Sequence, residues 1–178
     1  TGTGARYPIQ ISDRPELRLD GTRLVDTGAI HSEHARVYGG EAALQFRSFL
    51  VEGEVFRYKI ERRFSALPDP KFKGWYVQGS WVLTGEPRPY NAVEGRFDAP
   101  RQTYTFNPAA GTWGAFELAA RYSVLDLNYR EGVLGAVGPV GAVRGGEQKI
   151  LTFGANWYLN PSMRLMLDYQ HVEIDRLN

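Results

Sequence analysis

Residues 151–170 read Leu-Thr-Phe-Gly-Ala-Asn-Trp-Tyr-Leu-Asn-Pro-Ser-Met-Arg-Leu-Met-Leu-Asp-Tyr-Gln. Leu151, Phe153, Ala155, Trp157 and Leu159 share one face of an extended chain, and Thr152, Gly154, Asn156 and Tyr158 share the other. Beyond the prolyl hinge, Met163, Leu165, Leu167 and Tyr169 oppose Arg164, Met166, Asp168 and Gln170 in the same manner. Strand side chains repeat every two residues, so each run predicts a strand with one apolar and one mostly polar surface. The two are joined by a two-residue turn at Asn160-Pro161.

The same alternation extends upstream. Arg36 to Arg47 places Tyr38, Gly40, Ala42, Leu44 and Phe46 opposite Gly39, Glu41, Ala43, Gln45 and Arg47, and a tight turn near Ser48 makes a hairpin with the next run. From Phe49 to Arg62 the phase changes: Val51 and Val55 begin one apolar series, then Phe56, Tyr58 and Ile60 take over. One extra residue near Val55, a β-bulge, would restore a single apolar face. Phe72 to Thr84 and Gly114 to Leu127 are further strands, and Glu16 to Val25 is a weaker one, for seven in all. The chain reads as a single partial β-domain over residues 1–178 with two long connections. Residues 85–112 carry Pro87, Pro89, Pro100 and Pro108 and predict an irregular or inward-folded segment. Residues 128–148 are rich in glycine and predict a loop.

Composition narrows the function classes. With 21 Lys and Arg against 20 Asp and Glu, the net charge of +1 gives no support to nucleic-acid binding, which needs a clustered basic field. The absence of cysteine removes disulfides and thiolate metal sites. His31 and His34 sit in a connection without a third ligand, and His171 stands apart from them, so no metal is expected. The glycine-rich stretch lacks the Lys-Ser/Thr ending of a phosphate loop, and no nucleophile–base arrangement is visible, so neither an enzyme nor a cofactor is expected. No apolar run approaches the roughly 20 residues of a membrane helix, although spanning strands need only about 9–11 alternating residues.

Alternation by itself fits a soluble sandwich, a lipocalin-like barrel or strands facing lipid. Two features favour lipid. Phe46, Trp75, Trp81, Trp157 and Tyr169 lie near strand ends, as membrane-interface aromatics would. The opposite faces carry many charges that a dry core would tolerate poorly and a watery lumen would hydrate.

Three segments resemble the phosphate-selective porin O and P family. They are Gly74-Trp-Tyr-Val-Gln-Gly-Ser-Trp-Val-Leu-Thr-Gly-Glu-Pro-Arg-Pro-Tyr90, Gly114-Ala-Phe-Glu-Leu-Ala-Ala-Arg-Tyr-Ser123 and Asn156-Trp-Tyr-Leu-Asn-Pro161. The resemblance implies an all-β fold: a transmembrane antiparallel β-barrel of the outer-membrane porin type, seen here as roughly 7–8 strands of a 16–18-stranded barrel. It further implies a bacterial outer-membrane location, a homotrimer, and passive diffusion of small anions, including phosphate, through a basic channel. On that view the lumen-facing basic residues that contact anions are Arg47, Arg57, Lys59, Arg121 and Arg164, with Glu41, Glu117 and Asp168 as their acidic neighbours. Outer-membrane lipid or lipopolysaccharide would cover the apolar face. The rival readings are an anchoring barrel for another envelope protein and a soluble ligand-binding β-barrel.

Overall fold

A computed structural model describes residues 8–14, 21–63 and 65–177. Two short strands, β1 (Ser12–Asp13) and β2 (Val25–Asp26), pair with each other near the start of the chain. Six long strands follow: β3 (Ser32–Phe46), β4 (Phe49–Arg62), β5 (Lys71–Val82), β8 (Ala115–Tyr129), β9 (Val143–Asn160) and β10 (Met163–Asp175). They form one antiparallel sheet in the order β10-β9-β8-β5-β4-β3. Between β5 and β8 lies a small hairpin, β6 (Tyr90–Asn91) with β7 (Arg96–Phe97). Residues 16–20 of the expected strand at Glu16 to Val25 lie outside the described residues, and of residues 21–25 only Val25 is in a strand, β2.

This architecture corrects the expected closed barrel. The described residues form three separate sheets of two, six and two strands, and β3 and β10 end the large one without meeting. The smallest single-chain membrane barrels close with about eight strands, so six are too few to bring one edge round to the other. The location expected with the barrel falls with it. Unpaired strand edges leave backbone N–H and C=O groups that hydrocarbon cannot satisfy, at several kcal/mol each. The described strands alone therefore do not support an integral multi-pass location in an outer membrane. No helix among the described residues is long and apolar enough to cross a membrane.

Strand register sorts the side chains onto two faces. On the outer face, rows cross the sheet from β3 to β10: Phe46, Phe49, Trp81, Leu118, Ala155 and Leu167, then Leu44, Val51, Gly79, Ala120, Phe153 and Tyr169. Much of this apolar surface is open, with Leu44 and Leu167 about three-quarters exposed. The inner face is polar through its middle and apolar at one end. There Ile60, Phe72, Leu127 and Val143 pack with Val25 and Ile30 into a buried core, flanked by Ile9, Ile11 and Tyr58.

That core explains a second departure. β4 pairs with both neighbours without a register shift anywhere near Val55, so the anticipated bulge is absent. Phe56, Tyr58 and Ile60 stay on the inner face, the face of Glu52 and Glu54. Their apolar character is used because the N-terminal segment covers them. Two boundaries also move. β9 runs through Asn160 and the turn is Pro161-Ser162, closed by the Ser162 amide donating to Asn160 Oδ1 at 2.9 Å. β8 and β9 extend to Tyr129 and from Val143, so the glycine-rich loop is confined to residues 130–142.

Candidate functional site

The inner face is organised by a transverse polar row and a buried carboxylate. In the row, β4, β5, β8, β9 and β10 contribute Glu52, Gln78, Arg121, Thr152 and Gln170 at successive register positions. Gln78 Nε2 donates to Glu52 Oε2 at 2.7 Å, and Arg121 Nη1 donates to Gln78 Oε1 at 2.8 Å. The Arg121 guanidinium also lies 3.8 Å from the centroid of the Tyr76 ring, a cation–π contact that fixes its plane. Gln170 Nε2 reaches Thr152 Oγ1 at 3.3 Å. Polar residues alternating into one face explain the row, because antiparallel register sets equivalent positions side by side.

Toward the turn end of the sheet, Glu117 is 2 % exposed and accepts three side-chain hydrogen bonds. They come from Arg88 Nη1 at 2.9 Å, Asn156 Nδ2 at 3.0 Å and Tyr158 Oη at 2.7 Å. A buried carboxylate must be paired in this way to be tolerated. Burial and the hydrogen bond to Glu117 both push the Tyr158 phenol above its ordinary range. Arg164 lies beside Tyr158, with Nη1 3.5 Å from Oη.

Arg88 belongs to the long connection between β5 and β8, and the connection folds over the inner face. Arg88 Nε donates to the Asp98 carbonyl at 2.9 Å, the Thr103 amide to Glu86 Oε1 at 3.1 Å, and Gln102 Nε2 to the Asn160 carbonyl at 3.1 Å. Its hairpin residues Tyr90 and Phe97 line a crevice with Glu41, Glu52 and Tyr76. Between the row and the buried carboxylate lies a cleft of about 180 Å³, bordered by Arg88, Arg121, Glu52, Ser80, Thr152 and Asp168.

The structure brings some of the sequence-nominated residues together and separates others. Arg121, Arg164, Glu41, Glu117 and Asp168 lie on the inner face, and Arg121 and Asp168 border the cleft. Arg57 and Lys59 project from the outer face instead, because β4 lacks the bulge that would have reversed their direction. Arg47 occupies the β3–β4 turn with a positive φ of 55°, its guanidinium over the Phe46 ring. Among the aromatics, Phe46 and Trp81 share the first outer row, where Trp81 stacks on Phe49 at 5.0 Å. Trp157 stacks on Phe116 at 5.4 Å and donates to the Trp113 carbonyl. Trp75 stands at the other end of the apolar surface against Tyr122, and Tyr169 is in the second row. Arg88, Gln78 and Tyr158 were not nominated. Arg88 had a sequence signal, a lone cation between two prolines that fix the chain around it.

The described residues thus form a two-faced sheet with a structured polar surface and hold no cluster of metal-ligating side chains. The chain belongs to the phosphate-selective porin O and P family, whose model matches residues 2–178. It is 28 % identical to Porin O of Pseudomonas aeruginosa over 141 residues, covering 79 % of this chain and 30 % of that protein. It is 33 % identical to an uncharacterized protein of Caulobacter vibrioides over 169 residues, covering 95 % of this chain and 30 % of the relative. The chain thus spans less than a third of the length of these relatives. Membership identifies it as a non-enzyme of a transport family.

The expected mechanism of passive diffusion through a channel needs correction on the same ground as the fold. The described sheet, with two free edges, encloses no lumen, so it does not support passage of an ion through a channel.

Proposed function

We propose that this chain is a wall element that binds small anions on its inner face, in the cleft between Arg121 and Arg88. The observation that carries the reading is the orientation of Arg121. Its guanidinium is held by Gln78 and by the Tyr76 ring at the border of a water-accessible cleft. Guanidinium groups match the paired oxygens of phosphates and carboxylates, and a fixed one loses less freedom on binding. Glu52, the nearest carboxylate in the row, is turned onto Gln78 and so competes less for an incoming anion. The family's description as phosphate-selective makes inorganic phosphate the natural probe. The proposal concerns binding on a surface and not passage across the chain.

Titration calorimetry with phosphate tests it. Arg121→Gln is expected to weaken binding about tenfold or more, the effect of losing one hydrogen bond to a charged group. Lys149→Gln, on the opposite face, should leave phosphate affinity unchanged. Equal affinity in the wild type and Arg121→Gln contradicts the assignment.

A further inference from the structure

Arg121 borders a second cavity besides the polar cleft. This one, of about 450 Å³, lies over the next two register rows of the inner face, across Arg121 from the cleft. Phe56, Tyr76 and Leu125 give it an aromatic and aliphatic lining, and Gln148 and Asp13 a polar one. Strand pairing sets that composition, because Phe56, Gly74, Leu125 and Gln148 fall in one row across β4, β5, β8 and β9. Glycine at 74 leaves the room that the Phe56 ring occupies, and a Cβ there would collide with the ring. Gln148 is 2 % exposed. Its Nε2 donates to Asp13 Oδ2 at 3.1 Å, while its Oε1 is buried with no partner among the described residues. A buried acceptor left unpaired is costly. A ligand that brings an N–H donor to this wall removes the cost.

We infer that the cleft and this cavity together take a phosphate monoester bearing a planar ring with N–H donors, the chemistry of a nucleoside monophosphate. The inference rests on the anion site proposed above and names the class of ligand that fills the space beyond it. Arg121 is the link. Its guanidinium lies 3.8 Å from the centroid of the Tyr76 ring, so one register row, roughly 7 Å, separates it from the row of Phe56. A phosphate held on Arg121 sets the ring of its nucleoside against Phe56, toward Gln148. Bases stack on aromatic side chains because every base has a π face, and an amide oxygen accepts from an exocyclic amine. Inorganic phosphate fills the cleft alone and leaves the aromatic wall and Gln148 Oε1 unanswered.

Calorimetric titration of the protein with adenosine monophosphate, inorganic phosphate and adenosine, at matched ionic strength, tests it. The monophosphate should bind about tenfold or more tightly than phosphate, the effect of stacking one base on an aromatic side chain. Adenosine, without the anion, should bind about tenfold or more weakly than its monophosphate. Phe56→Leu keeps an apolar side chain and removes the ring. It should abolish most of the advantage of the monophosphate and leave phosphate affinity as in the wild type. Equal affinity of the wild type for adenosine monophosphate and phosphate overturns the inference, and that comparison carries the test if Phe56→Leu fails to fold. So does a monophosphate affinity unchanged in Phe56→Leu, or adenosine bound as tightly as its monophosphate. In each of these cases, phosphate binding that weakens in Arg121→Gln preserves the cleft assignment. Phosphate binding that does not weaken there removes both.

Discussion

Glu117→Ala is expected to destabilise the fold by about 3–5 kcal/mol, the usual effect of removing one partner from a buried ion pair. The loss is large because Glu117 is the shared acceptor for three donors. Without it, the Arg88 guanidinium, the Asn156 amide and the Tyr158 hydroxyl lose the carboxylate that holds them. Arg88 is 23 % exposed at its side chain and can turn toward water, whereas Tyr158 is 4 % exposed and cannot. Chemical denaturation followed by tryptophan fluorescence reads the effect, and a change below about 1 kcal/mol would remove Glu117 from its central place. The same variant should alter the alkaline limb. A phenol whose folded pKa exceeds its unfolded value of 10.0 contributes stability that is complete below that value and lost as pH rises through the folded pKa. Burial is the first cause of the shift and Glu117 the second. Glu117→Ala should therefore reduce, without abolishing, the fall in stability above pH 10.0.

Gly114→Ala should be comparably damaging, at about 3 kcal/mol or more, although it adds one methyl group. Gly114 has φ of +74°, where a residue with a Cβ is strained by roughly 1–3 kcal/mol. The added carbon would also collide with the Tyr158 carbonyl on β9, a backbone atom that cannot swing aside. Relieving the collision moves the start of β8 away from the end of β9, where the Ala115–Tyr158 and Glu117–Asn156 register positions lie. The substitution therefore reaches the buried carboxylate through the backbone. Hydrogen exchange at β8 residues 115–118 should accelerate in the variant, and Gly111→Ala, at a positive φ with open space around it, should cost less. Equal stability of the two variants would contradict the steric part of the argument.

The long strands were legible in the sequence because alternation is a local property and the outer face obeys it from Leu151 to Tyr169 and from Tyr38 to Phe46. Three things were not. Phe56, Tyr58 and Ile60 look like a phase error when read along β4 alone. Tyr58 and Ile60 become regular once Val25 and Ile30 are seen to pack with them, a contact between segments far apart in the chain. The misreading carried Arg57 and Lys59 to the wrong face. Those two residues instead complete a basic cluster that only strand pairing reveals, since Lys71 and Lys73 lie beyond an intervening loop. The buried carboxylate was half legible. Glu117 was nominated from its face, but Arg88 reaches it from a proline-rich connection whose path no periodicity encodes. Closure was the third misjudgement. Alternating faces specify a sheet, whereas the number of strands decides whether its edges meet.

Hydrogen–deuterium exchange along the 178-residue chain tests the open, two-faced sheet most directly. Amides of β5 residues 73–81 and β8 residues 117–126, paired on both sides, should exchange slowly. In β3 and β10, every second amide points away from the sheet and should exchange at a nearly unprotected rate. Protection of consecutive amides along both β3 and β10, equal to that of β8, would mean that the two edges are joined and would contradict the account.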